Sequence, residues 1–371
     1  MAVQELLNKF HDIAANPGKQ MEAYLKAGKR VVLCAPVYTP EEIVHAMGAV
    51  PMGAWGADTE LQLSKKYFPA FICSIMQSIL ELGIKGTYDG ASAIIIPSLC
   101  DSLKCLGENW KYAVPDITFI PMVHPQNRAG EAGRAFTKAG YQRVIKTLEK
   151  LFATTYDDAA LWGSIRIYNE HNAVMREVSA LLAEHPEISA CARSDIFKSA
   201  MFMLKEEHTA LVKDLIEALK RSPAGETKVK VLISGIIADS HSLNSIFDDL
   251  GIQIVADDVA AQSRQYRTGA PEAETALDSL VLKFSGMGNC SLLFDVDKKR
   301  ADLIVKTAQE TGARGVIVIL TKFCDPEEFD YVIIKSRCEE AGLPVTLVEV
   351  DRQMVNYEQA RTIIETFKDM I

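Results

Sequence analysis

The chain has 371 residues, 48% of them hydrophobic, with a formal net charge of −9 and eight cysteines. That length can bury more than one core and leads us to expect two or three domains, while the acidic balance disfavours nucleic acid or an anionic membrane as partner. No apolar run approaches the ~20 residues of a membrane helix, the start MAVQELLNKFHDI lacks a signal-peptide pattern, and cysteines this scattered do not frame a secreted disulfide scaffold, so a cytoplasmic protein is expected.

Residues 1–28 read as an N-terminal helical arm, with Leu6, Leu7, Phe10, Ile13 and Ala14 at helical spacing. Residues 29–129 read as a first α/β domain. A strand is predicted at 30–34, and Thr39, Pro40 and Glu42 signal the start of a helix that ends near Gly48. A second strand is predicted at 50–55, one long helix over 64–86 entered through Pro69, a strand at 93–96, a helix at 102–114 and a strand at 117–123. Over 130–225 the strand signal vanishes and helical periodicity continues up to the linker Arg221-Ser222-Pro223-Ala224-Gly225. Alternation then resumes over 226–371, a second α/β domain. The pattern predicts two doubly wound, flavodoxin- or Rossmann-like parallel-sheet lobes with an intervening helical section.

One motif occurs twice. AIIIPSLCDSLKC at 93–105 and GVIVILTKFCDPEE at 315–328 each run from a β-branched stretch into Cys-Asp and then into a helix start. Cys100 and Cys324 are therefore expected at the carboxyl ends of strands, each one residue ahead of a capping Asp, where open α/β sheets bind ligands and a helix N-terminus favours a thiolate. The repeat hints at two similar lobes facing one cleft. Cys73, Cys100 and Cys324 form the preferred candidate set, with Cys105, one helical turn beyond Cys100, as a competing ligand. Cys34 is a further candidate for lining the site, while Cys191, Cys290 and Cys338 read as structural. Spacing alone leaves a Cys₃ zinc site with a water ligand open as well. Neither GxxxxGK[ST] nor a GxGxxG after a strand is present, so nucleotide hydrolysis and a Rossmann dinucleotide site lack support. His208 reads as a solvated helix residue and His124 as part of a structural turn.

The stretches CAPVYTPEEIVHAMGAVPMGAWG (34–56), YFPAFICSIMQS (67–78), PSLCDSLKCLGENWK (97–111), MVHPQNR (122–128), FMLKEEHTALVKDL (202–215), ADDVAAQSRQYR (256–267) and KFCDPEE (322–328) resemble the β subunit of 2-hydroxyacyl-CoA dehydratases, essentially end to end. The resemblance is greater to the 2-hydroxyisocaproyl-, phenyllactoyl- and lactoyl-CoA types than to the 2-hydroxyglutaryl-CoA type. It implies a [4Fe–4S] cluster held by Cys73, Cys100 and Cys324 with a non-protein fourth ligand, and it demotes Cys105. It further implies conversion of an (R)-2-hydroxyacyl-CoA to the (E)-2-enoyl-CoA through a ketyl radical, after one-electron activation by an ATP-dependent iron–sulfur activator. A larger α subunit is the implied partner and carries most of the acyl-CoA site, which leaves this chain a relay or storage cluster and part of the interface. The alternatives are a 2-hydroxyglutaryl-CoA dehydratase or benzoyl-CoA reductase-type subunit, or a non-catalytic iron–sulfur electron carrier. Asp101, Lys104 and Arg267 lie within the motifs, with capping or interface roles as the expectation.

Overall fold

The computed structural model describes residues 2–371. Helices α1 (Val3–Ala15) and α2 (Pro17–Lys26) open the chain. The expected single arm is split because Pro17 lacks the N–H that a continuous helix would use, and it starts α2 instead. Leu6 and Phe10 are buried against the helical section, while Met21 and Tyr24 join the core beside the first sheet.

Strand β1 (Arg30–Cys34), helix α3 (Glu41–Ala46), β2 (Ala49–Gly53), α4 (Ser74–Ile84), β3 (Ala93–Pro97), α5 (Asp101–Ala113) and β4 (Thr118–Met122) follow. The strands form one parallel sheet in the order β2-β1-β3-β4. Pro51 and Pro121 fall on its two edge strands, where a missing backbone donor is tolerated. Side-chain alternation gives each strand two apolar faces. Val31 and Leu33 point to the core shared with the second sheet, whereas Val32 and Cys34 point to the layer formed by α3 and the helices that follow.

The helical section comprises α6 (Glu131–Phe152), α7 (Asp158–Leu182), α8 (Ala190–Ser199) and α9 (Lys205–Leu219). Beyond it come β5 (Val229–Gly235), α10 (His241–Asp249), β6 (Ile252–Val259), α11 (Ser263–Tyr266), α12 (Ala276–Gly286), α13 (Arg300–Thr311), β7 (Gly315–Thr321), α14 (Asp325–Glu340), β8 (Val345–Val350) and α15 (Glu358–Met370). These strands make a second parallel sheet in the order β6-β5-β7-β8, so both predicted lobes are doubly wound parallel sheets. Helix α12 follows the sixth strand in sequence yet packs with α6 against the first sheet.

Both sheets reverse their winding direction at the central pair, β1/β3 in one and β5/β7 in the other, and in such folds the crevice beyond the strand ends is the ligand position. Gly235 ends β5 at φ 157°, and a Cβ there would meet the Ile319 carbonyl oxygen at 2.3 Å. Only glycine lets the two central strands of the second sheet close up at this point.

The predicted helix over 64–86 is not continuous. Residues 64–66 form a single 3₁₀ turn, and α4 begins only after Cys73. Pro69 disfavours helical backbone at Phe68. The 3₁₀ turn is tied to α4, since the buried Glu81 carboxylate accepts from the backbone N–H groups of Gln62 and Ser64 at 3.1 and 2.8 Å.

A three-thiol cavity between the sheets

The carboxyl ends of the central strands open into one cavity of 430 Å³, within the range of about 300–1,000 Å³ usual for ligand sites. Pro36 and Val37 reach it after β1, Leu99 and Cys100 after β3, Ile236 after β5, and Phe323 and Cys324 after β7. Cys73 joins them from the start of α4, so the three cysteines singled out from the motifs line the same space.

Each of these cysteines is itself the N-cap residue of a helix, Cys73 of α4, Cys100 of α5 and Cys324 of α14. This corrects the expectation that Asp101 and Asp325 cap. Both aspartates are the first helical residue, where their charge complements the helix dipole. The thiols thus stand where three sets of unpaired backbone N–H groups point, which is also the place a bound anionic group would be stabilised.

Without a bound cation the three are thiols at neutral pH. Burial pushes Cys73 up to about 12, the amides of Ile75 and Met76 act the other way, and nearby Cys100 adds to the rise. Burial also raises Cys100, offset in part by the amides of Leu103 and Ser102. Cys324 lies well above the ordinary thiol range through burial, with Cys73 and Glu327 adding to it. The three sulfurs sense one another electrostatically. Even so, they do not come together as a single-ion site would: among the described residues one group of three His, Cys, Asp or Glu ligand atoms lies within 4.8 Å, and it contains none of these cysteines. A zinc ion with Zn–S bonds of about 2.3 Å would need its thiolates about 3.8 Å apart.

The remaining cysteines lie elsewhere. Cys105 is exposed on α5 and does not line the cavity. Cys34 is turned away by strand alternation and packs on the far side of the first sheet, so it does not line the cavity either. Cys290 and Cys338 are buried and Cys191 is half-buried on α8. All eight are free thiols.

The turn carrying Cys324 is braced by a buried ionic network that the sequence reading missed. Glu327, in the first turn of α14, pairs with Arg300 at 2.8 Å and Arg264 at 3.2 Å and accepts from Ser291 Oγ at 2.6 Å. Asp258 of β6 pairs with Arg264, Arg267 and Arg300 at 2.9, 2.7 and 2.7 Å. Burial alone would raise the Glu327 carboxyl, but the guanidinium groups of Arg300 and Arg264 outweigh it and hold it below its ordinary value. The available signal was Asp257-Asp258 inside the wholly buried strand β6, since charges in a buried strand require partners. Arg267 is thereby a structural ion-pair partner.

His208 is fully buried, contrary to the expectation of a solvated residue, because α9 turns that face onto α7 and α8. Its Nε2 donates to the Ile196 carbonyl at 3.1 Å, so its Nδ1 accepts from His171 Nε2 at 3.1 Å. That leaves His171 Nδ1 as an unprotonated acceptor, buried without a partner among the described residues. His171 lines a second, smaller cavity of 70 Å³ together with Tyr38, Asn172 and Lys205. His124 sits just beyond β4 as expected of a turn residue, its ring 4.3 Å from that of Phe284, and burial lowers its pKa to about 3.

Residues 36–371 match the family described as 2-hydroxyglutaryl-CoA dehydratase, D-component. The chain belongs to this family. It is 46% identical over 370 residues to the (R)-phenyllactyl-CoA dehydratase beta subunit of Clostridium sporogenes, covering 99% of each chain. It is 41% identical over 374 residues to the lactoyl-CoA dehydratase subunit beta of Anaerotignum propionicum, covering 100% of this chain and 99% of the other. Identity to the (R)-2-hydroxyglutaryl-CoA dehydratase subunit beta of Acidaminococcus fermentans is 36% over 379 residues, with both chains fully covered. The order of identities follows the order of resemblance read from the motifs. Among the described residues no helix is long and apolar enough to cross a membrane.

Proposed function

We propose that this chain is the β subunit of a 2-hydroxyacyl-CoA dehydratase, a hydro-lyase that converts an (R)-2-hydroxyacyl-CoA to the (E)-2-enoyl-CoA. The proposal includes one-electron activation by an ATP-dependent iron–sulfur activator, a ketyl-radical route, a larger α subunit as partner and a cytoplasmic setting. Cys73, Cys100 and Cys324 are the residues that would hold a [4Fe–4S] cluster here. The observation that carries the reading is the convergence of three N-cap thiols on one cavity. When bound, such a cluster takes up and returns single electrons, as removal of a hydroxyl α to a thioester by a radical route demands.

The chain's own residues would do four things. Three thiols would give up protons on ligation, since only thiolates bind. The N-termini of α4, α5 and α14 would stabilise the resulting negative charge. Apolar walls from Val37, Ile75, Met76, Leu99 and Ile236 would keep bulk water from the site. Phe323 and Phe329 line the cavity and remain exposed, Phe329 by 74%, a rim suited to burial under a partner. With most of the acyl-CoA site assigned to the α subunit, the role left to this subunit is electron relay or storage.

The test is iron and acid-labile sulfide content, with the visible spectrum, of anaerobically purified chain. About four iron per chain is expected for one cubane, lost in Cys73→Ala, Cys100→Ala and Cys324→Ala and kept in Cys105→Ala. A colourless wild-type chain, or stoichiometric zinc on these three thiols, would refute the reading. Turnover with the α subunit and activator separates a dehydratase subunit from an electron carrier.

A further inference from the structure

Away from the thiol cavity, three side chains from distant parts of the chain converge on one point. His11 lies on α1, Asp195 on α8, and His241 is the first residue of α10. His11 Nδ1 is 2.9 Å from one carboxylate oxygen of Asp195, and His241 Nε2 is 2.8 Å from the other. All three ligand atoms fall within 4.8 Å of one another. The two imidazole rings lie 5.2 Å apart between centroids, their planes inclined by 45°.

Asp195 is buried, yet among the described residues its ion-pair partners are these two imidazoles, with no Lys or Arg among them. The nearby Lys198 is engaged by Asp239 at 3.0 Å. A buried carboxylate without a fixed cation calls for positive charge from another source. Both imidazoles are about half exposed, so an ion can reach the site from solvent and keep a water ligand there. A tetrahedral ion with bonds of about 2.0–2.1 Å sets its ligand atoms about 3.3 Å apart. The observed contacts, 2.8 Å to Oδ1 and 2.9 Å to Oδ2, run to different oxygens of Asp195, so a single ion would either bridge both oxygens or draw one ring toward the oxygen that the other contacts. Two exposed rings can supply this movement while Asp195 stays fixed.

We propose that His11, Asp195 and His241 bind a divalent cation of the zinc class, with water completing the coordination. Two imidazoles to one carboxylate favour such an ion over magnesium or calcium, which take oxygen ligands. The ion would staple α1 to the helical section and to the first helix of the second sheet. The site is separate from the three cysteines and does not depend on the function assigned to them.

The experiment adds Zn²⁺ at micromolar concentration to the full chain under anaerobic conditions and desalts it. Zinc and iron are then measured in the same samples, and the melting temperature is recorded with and without zinc. Wild type should hold one zinc per chain and melt several degrees higher in its presence. His11→Gln and His241→Gln should each lose that zinc and the thermal response, with iron unchanged. Cys324→Ala serves as control and should keep the zinc. The site is overturned if wild type takes up no zinc, if both histidine variants retain it, or if Cys324→Ala abolishes it. It is equally overturned if the histidine variants melt lower but zinc has no effect on wild type, because the three residues are then a hydrogen-bonded latch.

Discussion

After β3 the chain turns through Ser98, Leu99 and Cys100 into α5, and after β7 it turns through Lys322, Phe323 and Cys324 into α14. Both turns put a cysteine at a helix N-cap and an aspartate at the first helical position. Their surroundings differ. Asp101, 95% exposed, pairs with Lys104 one turn along α5 at 3.0 Å. Behind Cys324, Glu327 is wholly buried and gripped by Arg264 and Arg300. Phe323 holds a left-handed φ of 63° there, a conformation that costs a non-glycine residue of order 1–3 kcal/mol and persists where the surroundings enforce it. One local signal thus sits in an open setting on the first sheet and in a braced one on the second.

If the brace fixes the second turn, breaking it should have the largest effect. Glu327→Ala leaves two buried guanidinium groups with one partner fewer, and removal of one member of such a network costs about 3–5 kcal/mol. Urea denaturation of the full chain should show this as a lower midpoint. A loss under 1 kcal/mol would mean that the network is relaxed by water and braces nothing.

The first turn leans on an uncharged support. The backbone N–H of His124 donates to Ser98 Oγ at 3.3 Å, and the buried ring packs on Phe284. Burial holds this imidazole to a pKa of about 3, below its unfolded value of about 6.5. A group depressed on folding contributes its full stability above the unfolded pKa and loses it as pH falls below that value. Between pH 7 and pH 5 this residue alone should cost about 2 kcal/mol. His124→Phe should remove that share of the pH dependence, measured as the difference between denaturation curves at the two pH values. An unchanged slope would show that the ring is hydrated in solution.

At the exposed end of the comparison, Asp101→Ala and Lys104→Ala should each change stability by no more than about 1 kcal/mol, as surface pairs do. The same denaturation series measures it. A larger effect from Asp101→Ala would erase the contrast between the two turns. Smallest of all, Cys105→Ala should leave both iron content and stability within error, because its thiol is exposed and lines no part of the cavity.

By itself the sequence was enough to mark the strands, because buried parallel strands are written as short β-branched runs such as Ala93-Ile94-Ile95-Ile96 and Val316-Ile317-Val318-Ile319. It also marked the helix start at Asp325-Pro326 and, through the repeated Cys-Asp turn, two lobes with matching ends. Such features depend on a few neighbouring residues. Only the tertiary structure decided which sulfurs meet. Cys34 and Cys100 both lie at or just past strand ends, but alternation along β1 turns Cys34 to the opposite face. Cys73 reaches the cavity because the helix expected through it begins at it. His208 is buried by a neighbouring helix that its own periodicity does not reveal, and Glu327 reads as a first-turn acid until the arginines of α11 and α13 arrive. These outcomes depend on contacts between residues tens to hundreds of positions apart, whose partners no local pattern records.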